Sequence, residues 1–382
     1  MAGWALYIIL GMSLAVAGFA AVATGWWRYS LWLWTISPAK MTVARRSLRI
    51  TDPADVERVN TILGSFITGF NRAIACPSEQ AWQCHCASIP SLYRPFAHEG
   101  AAMGHILRRF FRYDAGEFER TIVKPRPEFR YLYYVGLGFW WGLRHVKPAK
   151  LMRLVEGLDP LHRYLCFDGY GFAHAFFDYP KDPQALTRLD DLKGYARNAA
   201  YQGVGRAFFF LYMGDAKRMI ESIQSLGTHA CDAAAGAGLA TAFVNPDRLE
   251  RAQRLASQMP SEWQAHFHLG MCFGFKARSI NDLDEFEANL SRLPKATQEA
   301  IWASIRECDR AELLVRADAE VLADGYELWR HRVTQWLSDN IEYPMRSVSV
   351  GTRVGSYPPP LPRGESQGGR LRPIDEKSSR RG

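Results

Sequence analysis

Four polar side chains stand out against an apolar, periodic background: Glu99, Asp168, Gln202 and Arg206. Each holds a set place relative to a glycine that recurs at positions 100, 136, 169, 203, 236 and 270. The residue before that glycine is in turn Glu99, Val135, Asp168, Gln202, Ala235 and Leu269. The residue three after it is Met103, Phe139, Phe172, Arg206, Leu239 and Phe273. The two positions are four apart, so on a helix they share one face. Equivalent faces line up in a stacked array, which puts Asp168 of one unit opposite Arg206 of the next, with Gln202 beside them. A carboxylate, a guanidinium and an amide in an aromatic-lined groove can orient a substrate or act on its protons. On this reading Glu99, Asp168 and Arg206 are candidate catalytic residues, and Gln202, Trp140 and Phe172 candidate binding residues. His174 joins the catalytic set: it and His105 lie five residues after their glycines, and an imidazole is a ready proton carrier. The alternative is structural. A charge is seldom buried without a partner, so Asp168 and Arg206 would pair to fix the stacking while the histidines hydrogen-bond in the core. The structural alternative is favoured for both.

Other chemistry has less support. No Ser-His-Asp arrangement, phosphate loop or dinucleotide fingerprint is present, and no cofactor is expected. Cys76, Cys84, His85 and Cys86 cluster, but C-x-C is not a standard zinc pattern and no second ligand pair follows. Ordinary thiols in a loop are expected there, and no metal site is assigned. Seven cysteines, most of them scattered, fit a reducing compartment better than a disulfide scaffold.

The elements that must position these groups are read from the glycines. Their spacings of 36, 33, 34, 33 and 34 residues are the signature of stacked helical hairpins. Several units carry a second glycine two residues on, as in Gly138, Gly171, Gly205 and Gly238. Residues two apart on a helix point about 200° from each other, so the pair relieves both flanks of a helix with a neighbour on each side. Each such glycine costs roughly 1 kcal/mol against alanine, and close packing is the compensation. Gly64, 36 before Gly100, marks a degenerate first unit. Charged partner helices alternate with the glycine helices, one opened by Asp215 as N-cap and another running from Asp247. The expected fold is all-α: an α-solenoid of tetratricopeptide-like (TPR-like) hairpins over residues 51–340.

The ends differ from this body. Residues 4–27 run without a charge and can cross the ~30 Å hydrocarbon layer as one N-terminal transmembrane helix. An aromatic belt follows at Trp26, Trp27, Tyr29, Trp32 and Trp34, and basic residues come only after the span, which places the body in the cytoplasm. A cleavable signal peptide is the rival, but its basic opening is lacking. Residues 28–50 link the span to the body. Asp52-Pro53 starts a helix, residues 76–95 read as a loop, and a helix over 325–338 caps the array. Residues 341–382 form a disordered Pro/Gly/Arg-rich tail, with polyproline II at 357–363. The net charge of +8 admits an anionic partner, but the arginines are spread and no nucleic-acid motif appears. Membrane lipid is therefore expected, and nucleic acid is not.

The middle of the chain resembles a bacterial family, domain of unknown function 1702, whose members are usually labelled "enediyne biosynthesis protein". The blocks that carry the resemblance begin with Arg94-x-Phe96-Ala-x-Glu99-Gly100-Ala-Ala-Met103 and Val135-Gly136-x-Gly138-x-Trp140. They continue with Leu158-Asp159-Pro160-Leu161, Asp168-Gly169-Tyr170-Gly171-Phe172 and Gln202-Gly203-x-Gly205-Arg206. The resemblance implies secondary metabolism of the polyketide type. The expectation is a membrane-anchored binding or assembly module for a partner protein or a hydrophobic, polyene-like intermediate. The alternative is an enzyme modifying that intermediate in the groove.

Overall fold

The computed structural model describes residues 34–340, apart from 46, 47, 49, 77, 110–112, 214 and 321, together with 11–16 and 18. Among these residues the regular elements are all helical. In chain order they are α1 (Pro53–Ala75), α2 (Glu79–Ala87), α3 (Arg94–Arg108), α4 (Ala115–Phe118, continued by a π-turn), α5 (Arg130–Leu143) and α6 (Pro148–Val155). Then come α7 (Tyr164–Ala173, continued by the π-turn His174–Asp178), α8 (Tyr195–Leu211), α9 (Ala216–Gln224), α10 (Ala230–Val244) and α11 (Leu249–Gln258). The last are α12 (Ser261–Asn281), α13 (Leu283–Leu290), α14 (Lys295–Arg316) and α15 (Gly325–Asp339).

The apolar helices α1, α3, α5, α7, α8, α10 and α12 pack side by side in that order and run parallel. The glycines explain how closely. The first glycine of a unit faces the preceding helix: a Cβ at Gly169 would strike Val135 O, and one at Gly236 would strike Gln202 O. The second faces the following helix, Gly138 meeting Cys166 O, Gly171 meeting Ala200 O and Gly238 meeting Phe267 O. Relief of both flanks by residues two apart is thus the packing rule of the core. The first unit corrects the expectation. Gly64 has nothing within 4 Å, whereas Gly69 lies against the Ala97 backbone and is the residue that seats α1 on α3.

Residues 76–95 are not the loop expected from their prolines. Ser78 accepts from the Ala81 amide at 3.2 Å and opens α2, which buries Trp82 and Cys86 one turn apart. Pro90 lies beyond its end and Pro95 sits in the first turn of α3, so these prolines bound helices and interrupt none. Cys84 of the thiol cluster is exposed while Cys76 and Cys86 are buried. The stretch before α1 is not a free linker either. Asn71 bonds both the amide and the carbonyl of Ile36, at 2.9 and 2.7 Å, and Val43 and Ile50 are buried.

The expected anchor at 4–27 lies outside the described residues except for 11–16 and 18, which are helical and exposed. Among the described residues no helix is long and apolar enough to cross a membrane. The tail at 341–382 also lies outside them.

The row of parallel helices bends until its ends meet. Arg58 of α1 donates to both Asp247 oxygens, at 2.7 and 2.6 Å, and to Val244 O at 2.8 Å. Arg251 of α11 pairs with both oxygens of the buried Asp55. Phe96 meets Phe243 edge-on at 5.4 Å, and Arg278 of α12 reaches Leu92 O at 3.0 Å. The inner faces consequently converge on one shared cleft, partly open to solvent. Helices α14 and α15 close one side: Arg316 holds Asp159, Lys276 is salt-bridged to Asp309 and Glu312, and the Trp329 indole donates to Cys308 O at 2.8 Å.

Candidate functional site

Between these faces lies a narrow cavity of about 60 Å³, partly open to solvent and with room for only a few waters. Its walls are the inner faces of α3, α5, α7, α8, α10 and α12, with Tyr326 and Trp329 of α15 as a roof. The positions just before and three after the unit glycine supply Glu99, Val135, Asp168, Arg206, Leu239 and Phe273. The wall is otherwise apolar, with Phe96, Leu132, Leu165, Phe210 and Phe243 prominent. Packing α7 against α8 through Gly203 brings Asp168 and Arg206 to the same spot.

The polar end is a connected network. Arg206 donates to Asp168 Oδ1, and its other terminal nitrogen lies 3.6 Å from Glu99 Oε1. Gln202 Nε2 donates to Asp168 Oδ2 at 2.8 Å, while its Oε1 accepts from Arg330, which sets the amide's orientation. Arg330 also donates to Tyr195 Oη at 2.8 Å, and Tyr326 Oη lies 3.3 Å from Gln202 Nε2. The Arg206 guanidinium lies 5.1 Å above the Phe172 ring, a cation–π contact.

Glu99 and Asp168 occupy different electrostatic settings. Burial pushes the Glu99 carboxyl up to about 7, Arg206 pulling it back and Asp168 adding to the rise. Burial also raises Asp168, opposed by direct bonds from Arg206 and Gln202. Arg206 bonds Asp168 directly and reaches Glu99 only at 3.6 Å, so Asp168 is its ion-pair partner and Glu99 the group that holds or releases a proton near neutrality. A carboxyl so poised beside an apolar cavity is suited to general acid–base work.

The sign of the pH effect follows. A carboxyl raised from its usual value to about 7 binds its proton more tightly when folded, so its ionisation opposes folding progressively from about pH 4.5 to 7. Glu99→Gln removes that opposition. In urea melts the variant is expected to match the native chain near pH 5 and to exceed it by a few kcal/mol at pH 8. A stability difference independent of pH would exclude the assignment.

His174, Trp140 and His105 lie away from the cavity lining. His174 is buried, with Nδ1 2.8 Å from Asp178 Oδ2, and burial lowers it against the pull of Asp178. Trp140 is buried beneath Arg144, 5.9 Å from its guanidinium. His105 faces Glu79 at 3.5 Å, and burial takes it down to about 4. Three residues that matter were not anticipated: Tyr326, Trp329 and Arg330. They form an i, i+3, i+4 stripe on α15, and the unusual presence of an arginine among its buried aromatics was the available signal.

No curated protein and no solved structure matches the chain. A family profile matches residues 26–337, which contain every polar and aromatic group of the cavity, and the chain therefore belongs to the family described as "Protein of unknown function (DUF1702)".

Proposed function

We infer that the protein holds a hydrophobic small molecule in its interior, with the molecule's polar end at Glu99 and Arg206. The carrying observation is the lining: an aromatic, largely apolar cavity with one convergent polar network is the form that ligand sites take, and this one has to widen to admit its ligand. Two guanidiniums, Arg206 and Arg330, share this network with one ionised carboxylate, Asp168, when Glu99 is protonated. That surplus suits a ligand whose polar end is acidic. A narrow apolar cleft favours a small molecule over a partner protein, and a conjugated, polyene-like acid suits both the lining and the charge. The resemblance to proteins labelled for enediyne biosynthesis supports a place in polyketide-type metabolism. On this proposal the body is a TPR-like solenoid wound on itself, and residues 4–27 tether it to the bacterial inner membrane, where apolar intermediates and acidic lipid are found.

A binding titration with a fluorescent conjugated fatty acid, cis-parinaric acid, tests the reading. One molecule per chain is expected, and Leu239→Trp, which fills the cavity, should weaken binding at least about tenfold while leaving the helical signal unchanged. Equal binding by a folded Leu239→Trp protein would place the ligand elsewhere. An enzyme acting on the bound molecule is the second reading, favoured by the poise of Glu99. In that case Glu99→Gln retains the ligand and loses its conversion.

A further inference from the structure

We propose that His145, His174 and Asp178 form a site for one divalent transition-metal ion of the zinc type, on the outer side of α5 and α7. Their ligand atoms lie within 4.8 Å of one another. His174 Nδ1 is 2.8 Å and His145 Nδ1 3.7 Å from Asp178 Oδ2. Ligands about 2.0–2.2 Å from a tetrahedral zinc ion are roughly 3.4 Å apart, so small side-chain movements bring the three into register. Two imidazoles and one carboxylate, with a position left for water, form a donor set that suits zinc or ferrous iron.

Two departures from regular backbone converge on this spot. His145 ends α5 in the left-handed region, at φ 47°, with Val146 N bonded to Trp141 O at 3.0 Å. Glycine is the usual residue there, because it lacks the Cβ that crowds the backbone in this region. The chain thus keeps a histidine where backbone geometry disfavours one. His174–Asp178 is a π-turn, closed by Tyr179 N on His174 O at 3.0 Å, and such turns concentrate at functional sites. The opposite nitrogen of His174, Nε2, is buried with no hydrogen-bond partner, so Nδ1 is the atom through which this ring can bind anything.

A cation already stands at the spot. Arg188 Nη1 donates to His145 Nδ1 at 2.7 Å and lies 4.0 Å from Asp178 Oδ2. Its side chain is half-exposed, and with His145, Lys147 and Asp191 it lines a solvent-open depression beside the site. A metal ion replaces the guanidinium as counter-charge to Asp178. The site is separate from the cavity network, and its test does not depend on the ligand proposed for the interior.

The full chain, stripped with chelator, is titrated with cobalt(II), whose visible absorption reports protein ligands, and then with zinc(II) in competition. One cobalt per chain with ligand-field bands, displaced by one zinc, is expected. His145→Ala and Asp178→Asn should each weaken binding by at least about 100-fold, with melting curves in chelator unchanged for the exposed His145→Ala. Arg188→Ala should tighten it. Absence of stoichiometric uptake, or uptake unaltered in His145→Ala, overturns the proposal; weaker binding in Arg188→Ala overturns the replacement of that guanidinium.

Discussion

Gly203→Ala is expected to remove a large part of the protein's stability. A Cβ there would sit 2.7 Å from the Phe172 amide nitrogen and closer still to Asp168 O. Both atoms belong to the backbone of α7, so no side chain can turn aside. The helices would have to separate along their length, which loses packing at every turn they share. A loss above about 4 kcal/mol is expected, a large fraction of a typical domain's whole stability. Gly64→Ala is the control. It is also mid-helix, but nothing lies within 4 Å of the added methyl, so it should gain about 1 kcal/mol from helix propensity alone. Circular dichroism with urea melts of the two variants separates steric exclusion from propensity. If Gly203→Ala folds as stably as the native chain, the close-packing account fails.

Arg206→Met should produce the next largest loss, and one that depends on pH. The substitution keeps the volume but strips Asp168, 1% exposed, and Glu99, 5% exposed, of the cation they share. Breaking a buried pair from one side costs roughly 3–5 kcal/mol. Both carboxyls already titrate above their usual values and rise further without Arg206. Acids that hold protons more tightly when folded destabilise increasingly as pH rises past the unfolded values. The deficit should therefore be small near pH 4 and full near pH 8. Asp168→Asn added to Arg206→Met should restore part of it by removing the stranded charge. A single variant as stable as the native chain at pH 8 would mean that the pair contributes nothing.

How much of this was legible depended on phase. The glycine register placed Asp168 beside Arg206 correctly, because positions one before and three after a glycine share a face and the units repeat it. The same arithmetic argues against His174. Five after the glycine is two beyond the cavity position, about 200° around the helix, and a π-turn begins there as well. Gly64 misled because spacing was counted from first glycines, whereas α1 uses its second seat, Gly69. Helix α2 was hidden by prolines that stand at helix ends. Tyr326, Trp329 and Arg330 escaped because α15 lies outside the period, and no repeat points to a helix that packs across the others. The meeting of the row's two ends was equally hidden, since Arg58 and Asp247 are 189 residues apart and neither is marked by spacing.

That long-range clasp has a bearing on birth and ancestry. Asp55 waits for a partner 196 residues downstream. At ribosomal speeds of roughly 5–20 residues per second, Arg251 is made about 10–40 s after Asp55, so the step that buries this carboxylate comes only once most of the body has emerged. The clasp also counts. Open arrays drift in copy number by duplicating or shedding a module, but inserting one here would carry Arg251 past Asp55 and unlatch the circle.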